Sequence, residues 1–183
     1  MRITAGEFGG RPISSVDDNA IRPTTDKVRQ AVFNMLMARV DVADCRCLDL
    51  FCGTGAMGLE ALSRGAPFCT FVDFSVKSLN CAKANIENLG VSGKTKTIEG
   101  DAIRPHKLPI DDPVDLVFMD PPFFHGLEDE TLAGLDDCFW LNFGAFVVVE
   151  TDREDLELPP RFEEMAFKDY GRSKIHLLQF TDI

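Results

Sequence analysis

The chain has 183 residues, 45% apolar and 27% charged, which suits one domain with a proper core and excludes a disordered or low-complexity protein. Its net charge of −11 argues against a generic high-affinity polyanion binder, and no apolar run approaches the length that spans a bilayer. Six cysteines, at 45, 47, 52, 69, 81 and 138, form no CxxC pair, and the three histidines are scattered, so a reduced cytoplasmic protein without a metal site is expected.

The first segment, RITAGEFGGRPIS, predicts a short β-hairpin turning on Gly6, Gly9 and Gly10. It is expected to stand as an extension, residues 1–20, on a single domain, residues 21–183. RPTTDKVRQAVFNMLMARV predicts a helix capped by Thr24 or Thr25, with Asp26 in its first turn. Its apolar stripe is Val28, Ala31, Val32, Met35 and Leu36. Strands and helices then alternate. CLDLF is a strand, GAMGLEALSRG a helix ending at Gly65, and CTFVD a second strand. SVKSLNCAKANIENLG is a helix running from a Ser75 cap to Gly90. KTIEGD, VDLVFMD and AFVVVE are further strands, and FEEMAFKDYGRSKIHLLQF is a final pair joined through Gly171. The pattern is a doubly wound, mostly parallel α/β sheet with a C-terminal antiparallel pair.

In LDLFCGTGAMGLEAL, Gly53, Gly55 and Gly58 spell GxGxxG between a strand and a helix, and Asp73 follows 20 residues after Gly53. That spacing places a nucleotide-like ligand at the first crossover, with Asp73 against a ribose diol. A dinucleotide is the first candidate. Asp49, four residues before Gly53, opposes a pyrophosphate but suits an ammonium group. S-adenosylmethionine has an ammonium, a ribose and an adenine but no phosphate. Asp101 in EGDA, at the end of the third strand, stands ready to accept from an adenine amine. Three acids at three consecutive strand ends favour this cofactor over NAD.

The fourth strand runs into DPPFF. Pro121 and Pro122 have no N–H and a fixed φ, so the ladder stops at a stiff loop carrying the Asp120 carboxylate and the rings of Phe123 and Phe124. Beside a methyl donor such a loop has a use. The exocyclic amine of a base is a poor nucleophile, because its lone pair is delocalised into the ring. Hydrogen bonds to the Asp120 carboxylate and the Pro121 carbonyl hold that lone pair toward the donor, while Phe123 stacks on the extruded base. Carbon methylation of a pyrimidine would need a cysteine nucleophile, and no Pro-Cys occurs.

DPPF resembles the [DNS]-P-P-[YFW] motif of amino-group methyltransferases. RPTTDKVRQAVFN, LDLFCGTGAMGLEALSRGA and FMDPPF together resemble the RsmD family, bacterial enzymes that methylate the N2 amine of one guanine in 16S ribosomal RNA. The likeness covers nearly the whole chain. It implies a Rossmann-like methyltransferase fold with a seven-stranded sheet. It also implies an S-adenosylmethionine site at Thr25, Asp49, Phe51, Gly53, Thr54, Gly55, Asp73, Asp101 and Ala102. Catalytic use falls to Asp120, Pro121, Pro122 and Phe123. Arg22 and Thr24 are placed beside the cofactor's methionine end and the target nucleotide. Cys52 stands where the family often has alanine, and Asp73 where it often has glutamate.

Charge divides the chain. Residues 1–40 carry six Lys/Arg against four Asp/Glu, and the remainder 13 against 26. RNA contact is therefore expected to begin at Arg2, Arg11, Arg22, Lys27 and Arg29, with Thr24 and Phe124 adding substrate contacts. The expected partner is 16S RNA within the small ribosomal subunit or an assembly intermediate, with neighbouring ribosomal proteins, met by a monomer. Other readings stay open: an adenine-N6 methyltransferase on DNA or RNA, an NAD-dependent oxidoreductase, and a non-catalytic ribosome-binding module.

Overall fold

A computed structural model describes residues 1–15, 25–123 and 125–182. Arg22, Thr24 and Phe124, all expected to touch substrate, lie outside the described residues. The elements are α1 (Asp26–Met37), β1 (Arg46–Leu50), α2 (Ala56–Ser63), β2 (Phe68–Asp73), α3 (Val76–Leu89), β3 (Thr95–Glu99), β4 (Val114–Met119), α4 (Leu127–Asp136), β5 (Leu141–Thr151), β6 (Phe162–Tyr170) and β7 (Ser173–Phe180), with short 3-10 turns between some of them.

The strands form one seven-stranded sheet in the order β3-β2-β1-β4-β5-β7-β6. β1 pairs in parallel with β2 and β4, and β2–β3 and β4–β5 are parallel too. β7 inserts antiparallel between β5 and β6. This is the mostly parallel sheet with an antiparallel C-terminal pair that the sequence predicts. The central strands are buried on both faces, which is why RCLDL and VDLVFM read as apolar runs without alternation. One face packs residues such as Phe33, Leu59, Phe71 and Phe118, and the other Leu50, Val117, Leu132 and Val147.

The helix caps follow from sequence. Thr25 accepts from Val28 N–H at the start of α1, and Ser75 from Ser78 N–H at the start of α3. Gly90 closes α3 in the left-handed region, at φ 75°. The stripe of α1 is shifted: Ala31 and Met35 are only partly buried, whereas Phe33 is fully buried, with its ring centroid 5.5 Å from that of Phe118, and Arg29 is buried one turn before it. Helix α4 has no counterpart among the predicted elements.

The N-terminal segment holds one isolated bridge, Arg2 to Pro12, in place of a strand pair. Its ends are joined by Ile3 N–H to Arg11 O and Gly10 N–H to Ile3 O. Ile3 and Ile13 belong to the main core. Glu60, at 0% exposure on α2, anchors the segment. Its carboxylate accepts from Thr4 N–H at 2.8 Å, Thr4 Oγ1 at 2.6 Å and Ala5 N–H at 3.1 Å, and pairs with Arg29 at 3.3 Å and Arg64 at 2.9 Å. The arm is thus built into the domain through buried polar contacts.

Candidate active site

In an open α/β sheet, ligands sit outside the carboxyl ends of the strands where the chain turns to opposite sides. Here that switch lies between β1 and β4, and the register brings the acids to it. Leu50 pairs with both Val72 and Met119. Asp73 closes β2 and Asp120 follows β4, so both acids stand at the carboxyl ends of the two strands that flank β1, the end at which Phe51 begins the turn.

The turn after β1 is strained. Phe51 has φ 57°, and among the described residues it is the non-glycine residue at positive φ. A left-handed residue with a Cβ costs about 1–2 kcal/mol, and such strain persists where the surroundings enforce it. They do so here: Cys52 N–H bonds Val72 O at 3.0 Å, Gly53 N–H bonds Asp73 Oδ2 at 2.9 Å, and Gly55 N–H bonds Cys52 O at 2.7 Å. Gly53 and Gly55 both have positive φ, at 53° and 78°. A Cβ on Gly53 would meet only Phe51 O, at 4.0 Å, so one side of the turn is open to an approaching ligand. A Cβ on Gly58 would lie 2.6 Å from Cys69 Sγ and 2.7 Å from Phe71 Cζ, so this third glycine lets α2 pack on β2.

Asp49 lies one residue before the end of β1 and is 3% exposed. Its Oδ2 accepts from Gly58 N–H at 2.9 Å. Burial pushes its carboxyl up to about 8, against the lowering effect of the Gly58 bond and with a further upward push from Asp73. A cation arriving at this group restores its charge, so the donor set fits a ligand with an ammonium. Asp73 ends β2 and also accepts from Ser75 N–H at 2.8 Å. Thr54 is buried, and its carbonyl accepts from Asn85 Nδ2 at 3.0 Å.

The third acid is shifted from its expected place. β3 ends at Glu99, which pairs with Asp73, and Asp101 lies two residues beyond the strand, exposed. Asp101 accepts from Ile103 N–H at 3.1 Å and faces Arg104 at 3.9 Å, while Ala102 is buried. A cavity of about 220 Å³ opens there between Ile98, Glu99, Asp101, Arg104 and Leu108. Phe74, next to Asp73, is 70% exposed at the rim of the same face. Its sequence signal is an aromatic residue directly following a strand-end acid. A larger cavity, about 670 Å³ between Ala5, Met37, Val40 and Arg64, adjoins the residues preceding β1, at the opposite end of the sheet from these acids.

At the end of β4, on the other side of β1 from β2, Asp120 is the first residue after the strand and is half-buried. Pro121 is buried, Pro122 exposed and Phe123 partly exposed. The loop then passes to Gly126, at φ 63°, and into α4.

The basic residues divide. Arg2 has a 70% exposed side chain, 3.8 Å from Asp26, and Lys27 is exposed at the start of α1. Arg11 is exposed too, with its guanidinium donating to Asn88 O and set 5.6 Å over the Phe8 ring. The docking role expected of Arg29 is corrected: at 0% exposure it pairs with Glu60 and Asp26 and donates to Arg2 O, so RNA cannot reach it.

A family model described as "Conserved hypothetical protein 95" matches residues 1–179. The chain is 36% identical over 162 residues to ribosomal RNA small subunit methyltransferase D of Escherichia coli, covering 85% of this chain and 76% of that one. It is 34% identical over 162 residues to ribosomal RNA small subunit methyltransferase D of Haemophilus influenzae, with 87% and 83% covered. A solved structure described as "Putative methyltransferase yhhF from Escherichia coli" superposes with a TM-score of 0.87 at 31% identity, over 100% of this chain and 99% of that one.

Proposed function

The chain belongs to the family described as conserved hypothetical protein 95, and from that premise we propose that it is an S-adenosylmethionine-dependent methyltransferase acting on the N2 amine of a guanine in 16S ribosomal RNA. The single observation that carries the reading is the register that brings the ends of β2, β1 and β4 together, so that Asp73, the glycine turn and the Asp120 loop share one end of the sheet.

The residues present fit the cofactor. Asp49 would hold its ammonium, Asp73 its ribose and Asp101 its adenine amine. Gly53 to Gly55, Phe51, Thr54, Ala102 and Thr25 would line it. When bound, S-adenosylmethionine supplies a methyl group on a sulfonium, a strong electrophile. The protein's own part is to orient the nucleophile. The Asp120 carboxylate and Pro121 carbonyl accept the two hydrogens of the guanine amine and turn its lone pair toward the methyl. Prolines at 121 and 122 donate nothing that would compete for those acceptors. Phe123 gives the extruded base a stacking face. Methylation costs the amine one proton, which the Asp120 carboxylate that accepts its hydrogen bond would take; orientation carries most of the rate, so no strong base is needed.

The substrate proposed is the small subunit or a late assembly intermediate. The −13 balance over residues 41–183 repels bare RNA, and the exposed Arg2, Arg11 and Lys27 gather at the N-terminal arm and the start of α1. Mass mapping of 16S RNA from a deletion strain tests this function: one guanine should lose a methyl group and regain it when purified protein and cofactor are added. A fully methylated RNA in that strain contradicts it.

A further inference from the structure

We infer that Glu128 is a positioning residue for the Asp120–Phe123 loop, an inference that rests on the amine-clamp reading above. Glu128 lies in the first turn of α4 at 0% exposure. Thr151 Oγ1 donates to its Oε1 at 2.5 Å. Its Oε2 is the one buried side-chain oxygen or nitrogen among the described residues with no hydrogen-bond partner. An unpaired buried carboxylate oxygen opposes folding, because its hydration is lost and nothing replaces it. The neighbours on this face of α4, Leu132 and Leu135, pack in an apolar cluster. A leucine at 128 would serve the packing of α4 better. The acid needs another reason.

Its position supplies one. Met119, the last residue of β4, pairs with Val149 on β5. Thr151, two residues further along, ends β5 beside the carboxyl end of β4, where the loop begins. The loop leaves the sheet at Asp120 and returns at Leu127, so the Glu128–Thr151 bond fastens its far end beside its near end. Neighbouring contacts secure the same turn of helix. Asp129 accepts from the Arg153 guanidinium and from Glu157 N–H at 3.0 Å, and Arg153 N–H donates to Thr151 Oγ1 at 3.2 Å. Pro121 and Pro122 stiffen the start of the loop, whereas Gly126 leaves its end free to swing. Glu128 removes that freedom. Two fixed ends hold the Asp120 carboxylate and the Pro121 carbonyl at one separation, which is what orienting an amine requires.

The test uses the whole chain with small ribosomal subunits as substrate. Glu128→Leu should lower kcat at least tenfold, leave KM for subunits and affinity for S-adenosylhomocysteine within twofold, and leave Tm equal or higher. Thr151→Val, which removes the donor of that bond, should match the loss of kcat, with a lower Tm because it leaves Glu128 unpartnered, and the kcat of the double variant should be no worse than that of either single one. Glu128→Gln keeps an acceptor for Thr151 and should recover most of kcat. The inference is overturned if Glu128→Leu keeps its kcat, or if Tm falls in step with activity, the mark of a merely structural role. Asp120→Ala is run beside them. Should it stay active, the clamp itself fails; should it be inactive while Glu128→Leu is not, only the positioning role fails.

Discussion

Gly58 donates its backbone N–H to Asp49 at 2.9 Å, so the glycine that lets α2 pack against Phe71 also fixes the acid that precedes the glycine turn. Packing and electrostatics meet at one residue pair, and the consequences can be measured separately.

Asp49 has its carboxyl raised from 3.8 to about 8 by burial. In the free protein at pH 7 the protonated form of Asp49 therefore predominates. A ligand ammonium favours the ionised form, so binding should release close to one proton. Affinity should tighten about tenfold per pH unit from 6 toward 8 and then level off. Calorimetry with S-adenosylhomocysteine in buffers of different ionisation enthalpy reads the proton directly, and no buffer dependence would contradict the assignment. For the free fold the sign is opposite. A raised carboxyl contributes stability that is whole below about pH 4 and lost as pH climbs through about 8.

Gly58→Ala should destabilise the fold by about 1–3 kcal/mol, because the added methyl enters the ring of Phe71 and the sulfur of Cys69. Phe71→Leu in the same chain should recover part of the loss. Thermal melts of the single and double variants check this.

Asp73→Ala should weaken S-adenosylhomocysteine by about 1.5–3 kcal/mol, since a charge-assisted partner is removed. Tm should fall as well, because the same carboxylate holds Gly53 N–H and Ser75 N–H. Unchanged affinity would remove Asp73 from the ribose site.

Much of this site was legible in sequence, for physical reasons. Strand ends are marked by apolar runs broken by glycine or proline, so Asp49, Asp73 and Asp120 could be placed within a residue of where they stand. Helix α4 was not legible. LEDETLAGLD carries four acids and a glycine, and its few leucines make a weak stripe. Gly134 within it answers to Pro105, whose Cδ would lie 2.7 Å from a Cβ there. The burial of Arg29 was hidden for a similar reason. Arginine on a helix is usually solvated, and its partner Glu60 lies 31 residues away.

Arg29→Ala should therefore act on stability, by about 1–3 kcal/mol, because Glu60 loses one of its two charge partners and keeps Arg64. Deleting the arm would do similar damage by removing Thr4 and Ala5 from Glu60. Docking is better probed by Arg2→Glu and Lys27→Glu, whose side chains are exposed. These should lower methylation of small subunits with Tm and cofactor affinity unchanged. Equal activity in the charge-reversed proteins would move the docking surface elsewhere.

The most direct test of the account is the rate of methyl transfer by Asp120→Ala on small ribosomal subunits, followed by mass mapping of the 16S RNA. The account predicts that the unaltered chain adds one methyl to the N2 of a guanine. Asp120→Ala should do so about a hundredfold more slowly or worse, with its fold and its affinity for S-adenosylhomocysteine intact. A variant as fast as the parent, or a parent that places the methyl on an adenine amine, would contradict it.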